Sequence, residues 1–256
     1  MPLTKTVSLE YCEIQKTPYP NLANFTSTEH QVESLKDLYV VISAASQSGS
    51  CLIKGELNRP LVNESRAGST DSHDSTEWLC FDLDGSQYKD PEKFMNDIGL
   101  GDVSYIYQYS ASYVITNNNL GAHIFVLLDG QVKATILKLW LQDLNLSTPT
   151  LKESIGLTKS GATLSWPLDI TTCQNDKIIY VAEPILGKGI KPKIKGHRIN
   201  LVNKKIERLE VKRIGYRHGD AIQKEATTLR NGLRESLGLE PIRKKIRLVE
   251  GQPVQS

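Results

Sequence analysis

Two aspartates with one residue between them close an apolar run, Glu77-Trp78-Leu79-Cys80-Phe81-Asp82-Leu83-Asp84-Gly85. In a β-strand, residues i and i+2 point to one face. Asp82 and Asp84 would then stand side by side at a strand end. Two carboxylates that close resist joint ionisation. A divalent cation resolves the conflict, and hard cations such as Mg²⁺ or Mn²⁺ prefer oxygen ligands. A strand running into an acidic turn has the same pattern. Two further residues sit where a polar side chain needs a reason. Asp169 lies in the apolar Pro167-Leu168-Asp169-Ile170, as a metal ligand or as the cap of a turn. His123 interrupts Ala122-His123-Ile124-Phe125-Val126-Leu127-Leu128, as a satisfied core histidine or a functional one. Asp143 is set aside as a third carboxylate because Leu139–Leu144 reads as helix surface.

Elements of both kinds must hold these residues. Apolar spacing predicts helices over His30–Ala45, Tyr88–Ile98, Lys133–Leu144 and Asp220–Leu237. Strands are expected at Trp78–Leu83, within Asp102–Thr116, at Ala122–Leu128 (ended by Asp129-Gly130) and at Lys177–Ala182. Residues 1 to about 30, with Pro18 and Pro20, read as an irregular lead-in or edge hairpin. Asn117–Asn119 reads as a turn and Gly68–Ser75 as a loop. The expectation is an α+β (mixed α/β) domain over 1–215, followed by a helical and basic extension over 216–256.

Composition narrows the class. The 256 residues suffice for a sizeable core, and the formal net charge is +2. That small value conceals an asymmetry. From Lys177 onward there are 19 Lys/Arg against 8 Asp/Glu, and before it 12 against 21. A basic last third joined to an acidic remainder suggests a polyanionic partner. No apolar run approaches the roughly 18 residues of a membrane span. Met1–Glu10 lacks the basic-then-apolar order of a signal peptide. Cys12, Cys51, Cys80 and Cys173 are scattered, and read as reduced thiols of an intracellular protein.

Two family resemblances follow. Phe81-Asp82-Leu83-Asp84-Gly85-Ser86 resembles the signature of the haloacid dehalogenase phosphatases, which implies Asp82 as nucleophile and Asp84 as general acid. The nearest later acid, Asp102 in Gly101-Asp102-Val103, has no second acid four residues on. A longer part of the chain, about Cys51 to Arg198, is similar to the archaeo-eukaryotic primase superfamily, in particular primase-polymerase domains of phages and mobile elements. The motifs are an Asp-x-Asp strand (Asp82, Asp84), a histidine strand (His123), and an apolar residue followed by Asp (Asp169). Lys54-Gly55, Arg59 and Ser65-Arg66 precede the first motif, and Ser110-Ala111-Ser112 the second. Tyr180-Val181-Ala182-Glu183-Pro184 and Arg198 follow the third. Where the histidine motif has Ser two residues earlier, this chain has Gly121.

The resemblance implies a DNA primase or polymerase that adds NTP or dNTP to a 3′-hydroxyl. Asp82, Asp84 and Asp169 would hold two Mg²⁺ or Mn²⁺ ions. His123 and Ser112 would contact the incoming nucleotide, and Lys54, Arg59 and Arg66 would neutralise phosphate. The partners implied are single-stranded DNA template and primer, in the cytoplasm of a bacterial host, with the helical piece after Asp220 as either a primase accessory element or a linker toward a helicase. A replication-initiator module that binds nucleic acid without chemistry remains open on the same basic region.

Overall fold

The computed structural model describes residues 3–10, 13–17, 22–116 and 119–242. Cys12, Pro18, Pro20, Asn117, Asn118 and the tail beyond 242 lie outside them. The protein is α+β. An N-terminal hairpin, β1 (Thr6–Glu10) and β2 (Glu13–Thr17), leads to α1 (Leu35–Ser48) and the short β3 (Leu52–Ile53). Then come β4 (Ser75–Leu83), α2 (Pro91–Asp97), β5 (Tyr105–Tyr109), α3 (Tyr113–Thr116) and the long β6 (Ala122–Lys133). Helices α4 (Ala134–Ser147) and α5 (Pro149–Lys152) precede two-residue strands β7 (Gly156–Leu157), β8 (Leu164–Ser165), β9 (Ile178–Ile179) and β10 (Ile185–Leu186). The chain closes with β11 (Ile199–Val202), β12 (Arg208–Leu209) and α6 (Gly219–Ser236).

Local chemistry explains where several elements differ from expectation. Helix α1 starts at Leu35 rather than near His30, because Ser34 and Asp37 form a capping box. The Ser34 Oγ accepts from the Asp37 N–H, and the Asp37 carboxylate accepts from the Ser34 N–H at 2.9 Å. Gly49, at φ 75°, ends the helix in the left-handed region. Residues 113–116 form α3 rather than strand. The Ser110 Oγ accepts from the Tyr113 N–H, and Val114 and Ile115 bury against Val7. Strand β6 runs past Asp129-Gly130 because its far end pairs again with β4, at Thr76↔Val132 and Ser75↔Lys133. Between Thr76 and Trp78 the register shifts, so the turn signal marks an irregularity inside the strand. Only Ile178 and Ile179 of the expected Lys177–Ala182 strand pair, with β3.

The central sheet runs β11-β5-β6, with β4 on the other edge of β6 and β12 beside the far part of β6. Alternation sends β4 residues to two cores. Leu79, Phe81 and Leu83 meet α2 and α4, and the Phe81 ring lies 5.6 Å from that of Phe94 and 5.8 Å from that of Trp140. Cys80, with Ile106 and Phe125, packs under Leu35, Leu38 and Ile42 of α1.

The region expected as an extension from 216 shares a core with α4. Ile222 and Ala226 bury against Leu146, Ile155 and Leu164. Asp143 is itself buried on α4, not on helix surface as expected, and accepts from the Arg217 Nε at 2.6 Å. Ile222→Ala should therefore destabilise the whole protein by about 2–5 kcal/mol. Urea unfolding should show one transition moved to lower urea. A change under about 0.5 kcal/mol, the size of an ordinary surface substitution, would mean that α6 contributes no core.

Candidate functional site

Backbone pairing assembles the site. Asp82 of β4 stands opposite His123 of β6, and His123 stands opposite Gln108 of β5. On its other edge, β4 bridges at Leu83 to Leu168. The Asp169 N–H donates to the Asp82 carbonyl at 2.9 Å, and the Asp84 N–H to the Pro167 carbonyl at 2.9 Å. Directly opposed residues of antiparallel strands share a face. Asp169, Asp82, His123 and Gln108 thus form one row across the sheet. It lies on the α1 side, one pleat beyond Cys80, Phe125 and Ile106.

Hydrogen bonds orient the row. The buried Gln108 amide donates through Nε2 to the Val181 carbonyl at 2.6 Å. Its Oε1 must then accept from the His123 Nδ1–H, 3.3 Å away. This turns His123 Nε2 toward Asp82 Oδ1 at 3.6 Å, an ion-pair distance rather than a hydrogen bond. Burial works against the Asp82 charge, but His123 and then Lys177 outweigh it and hold the carboxyl below its ordinary value. The Asp169 Oδ1 accepts from the Thr171 N–H at 2.8 Å. Its Oδ2 accepts from the Thr171 hydroxyl at 2.9 Å and from Lys177 Nζ at 3.0 Å. Asp169 is both the cap of a turn and a member of the row.

Asp84 follows at the exposed strand end, before Gly85 at φ 72°. It lines a cleft of about 540 Å³ together with Lys89, Ser110, Ser112 and Gly121. A Cβ at position 121 would stand 2.5 Å from the Ser110 Oγ. Glycine there follows from the Ser110 side chain occupying that space.

The sequence-predicted residues thus divide. Asp82, Asp169 and His123 come together, and Asp84 and Ser112 share the adjoining cleft. Lys54 does not face solvent and is no surface phosphate ligand. It is 1 % exposed, donates to the Thr76 hydroxyl, and lies 4.7 Å from the Trp78 ring centroid. Arg59 pairs with Glu64 at 3.1 Å. Arg66 donates to the Asp176 carbonyl at 2.6 Å and lines a separate groove beside Trp78. Gln108, Thr171, Lys177 and Lys89 were missed. Gln108 carries the same signal as His123, a polar residue inside an apolar strand.

Among the described residues, no three His, Cys, Asp or Glu side chains converge as a preformed metal nest. The donor chemistry of Asp82, Asp84 and Asp169 still fits a hard divalent cation, being carboxylate oxygen throughout. Asp169 is held by the Lys177 ammonium, and Asp82 faces the His123 ring. Cys51, Cys80 and Cys173 are free thiols. No described helix is long and apolar enough to cross a membrane. Comparison of the chain with protein-family models, curated proteins and solved structures gave no match.

Desolvation pushes the Lys54 amine down to about 7. The unfolded chain keeps this proton into the ordinary lysine range near 10.5, while the folded chain releases it near 7. The burial penalty is full below pH 7, and stability rises as pH climbs from about 7 toward 10. Lys54→Met should be more stable than wild type by about 1–3 kcal/mol at pH 6. Urea titrations at pH 6, 8 and 10 should show the difference closing. A gap independent of pH would refute the assignment.

Proposed function

We propose that this protein is a primase-polymerase that catalyses metal-dependent, template-directed nucleotidyl transfer from an NTP or dNTP to a 3′-hydroxyl. One observation carries the reading. The Leu83–Leu168 bridge brings Asp169 opposite Asp82, with His123 on the other flank, although Asp82 and Asp169 are far apart in sequence. Asp82, Asp84 and Asp169 would hold Mg²⁺ or Mn²⁺. Bound there, the ions supply Lewis-acid activation of the attacking hydroxyl and neutralise charge at the leaving pyrophosphate.

The chain's own residues do the positioning. His123, its Nδ1–H fixed by Gln108, keeps Asp82 ionised and oriented. Lys89 and Ser112 give the cleft a cation and a hydroxyl for phosphate oxygens. The basic loop with Lys188, Lys191, Lys193 and Lys195 packs on α3, whose Tyr113 and Thr116 line the cleft. Its Ile190 and Ile194 pack with Val114 and Ile115 of α3, and the Lys193 N–H donates to the Val114 carbonyl at 2.7 Å. This loop would follow the backbone of a single-stranded template or primer. The reading places the protein in the cytoplasm of a bacterial host.

The phosphatase resemblance gains no support. Asp102, its candidate second acid, pairs with Arg213 at 2.8 Å, beyond the opposite end of β5 from the row.

Extension of a labelled primer on a DNA template with Mn²⁺ tests the proposal. Asp82→Ala and Asp169→Ala should each lower the rate by at least about 10²-fold while DNA binding persists. Full activity in both variants would exclude the site. Binding without any synthesis in the wild type would favour the initiator module. For the loop, replacing Lys188, Lys191 and Lys195 together by Ala should weaken single-stranded DNA binding. It should also reduce the slope of log K against log salt by about 2, at about 0.7 per phosphate contact. An unchanged slope would place the nucleic acid elsewhere.

A further inference from the structure

The row carries a charge problem that its own residues solve. Asp82 and Asp169 are opposed on one face, where like charges destabilise a strand pair. Asp169 has a cation of its own in Lys177, and Asp82 faces the His123 ring. Lys177 is no loosely tethered surface lysine. Its N–H donates to the Gln174 carbonyl at 3.0 Å, and its carbonyl accepts from the Lys54 N–H at 3.0 Å. The next residue, Ile178, pairs with Ile53. The β3–β9 ladder therefore fixes the root of the side chain.

At its tip, Lys177 Nζ donates to the Thr171 hydroxyl at 2.6 Å, and that hydroxyl donates onward to Asp169 Oδ2. Counting Lys177 itself, Asp169 Oδ2 takes two protein donors, and its Oδ1 takes the Thr171 N–H. A cation from solution that used Oδ2 would have to displace the ammonium. Both side chains are about one-third exposed, so solvent ions can reach the pair.

Resting on the metal-site reading above, we propose that Lys177 is the resident counter-cation of the row. It holds Asp169 in the metal-free protein, yields it when a divalent ion binds, and so sets the metal affinity of the site. The role is one of positioning and competition, since Lys177 need touch no substrate. It accounts for the lack of three converging ligands among the described residues, although the backbone register brings two of the three carboxylates opposite each other.

The test is Mn²⁺ binding to the full chain without nucleotide, followed by electron paramagnetic resonance of the free ion, with metal-free melting temperature as a second readout. Lys177→Met should bind Mn²⁺ about threefold to tenfold tighter than wild type, the range set by one partly exposed ion pair. Its metal-free form should melt lower, and Mn²⁺ should raise its melting temperature more than that of wild type. Lys177→Gln, which keeps a hydrogen-bonding group, should show the same tightening where the methionine variant does not fold. Lys177→Arg keeps the charge and should not tighten binding. Wild-type binding that Asp82→Asn abolishes, but that Lys177→Met and Lys177→Gln leave unchanged or weaken, overturns this inference alone. Tightening by arginine also overturns it. Absence of Mn²⁺ binding in wild type and in all Lys177 variants overturns the metal-site reading and this inference with it.

Discussion

The two edges of β4 determine what the rest of the structure can do. One edge pairs with β6 and aligns Asp82 with His123. The other accepts a single bridge at Leu168 and aligns Asp82 with Asp169. A slip of one residue on either side would turn the partner side chain to the opposite face. The apolar residues between the polar ones guard against that slip. Leu83 and Leu168 are fully buried, as are Phe81 and Ile124 on the same side of the sheet. Moving the register would send each of these toward a polar environment. The packing of α2 and α4 beneath β4 is therefore also what keeps the row in line.

Much of the architecture was legible in the sequence because its signals were local. The spacing around Asp220–Leu237 and the apolar run of Ala122–Leu128 marked α6 and most of β6. Where prediction went astray, a nonlocal pairing or a cap had the stronger hold. Asp129-Gly130 has the composition of a strand end, yet β4 and β6 pair again beyond it. Tyr113–Thr116 has the composition of a strand, yet Ser110 caps it into a helical turn. The basic residues after 216 suggested a detached piece. The apolar stripe that ties α6 to α4 was present in the same residues, but its partner could be found only in the folded chain.

For the candidate site, residue types were more legible than their company. Asp82, His123 and Asp169 were each visible as a polar residue breaking an apolar pattern. Such a break announces that a partner exists without saying which. Lys54 shows the opposite failure. A lysine beside a glycine suggested an exposed phosphate ligand, and only the packing of Thr76 and Trp78 around its amine places it inside. Lys177 gave no signal, since lysine at the head of a short strand is ordinary.

The irregular stretch of β6 around Asp129 and Gly130 has a further consequence. A regular ladder transmits a registration error along its whole length, so that a fault at one end misplaces every side chain at the other. Here the pairing of Trp78–Leu83 with Ala122–Leu127 and that of Ser75–Thr76 with Val132–Lys133 are separate segments with an unmatched interval between them. That interval works as an expansion joint. Changes in sequence at the Ser75/Lys133 end of the β4–β6 ladder can be absorbed there, away from the alignment of Asp82 with His123.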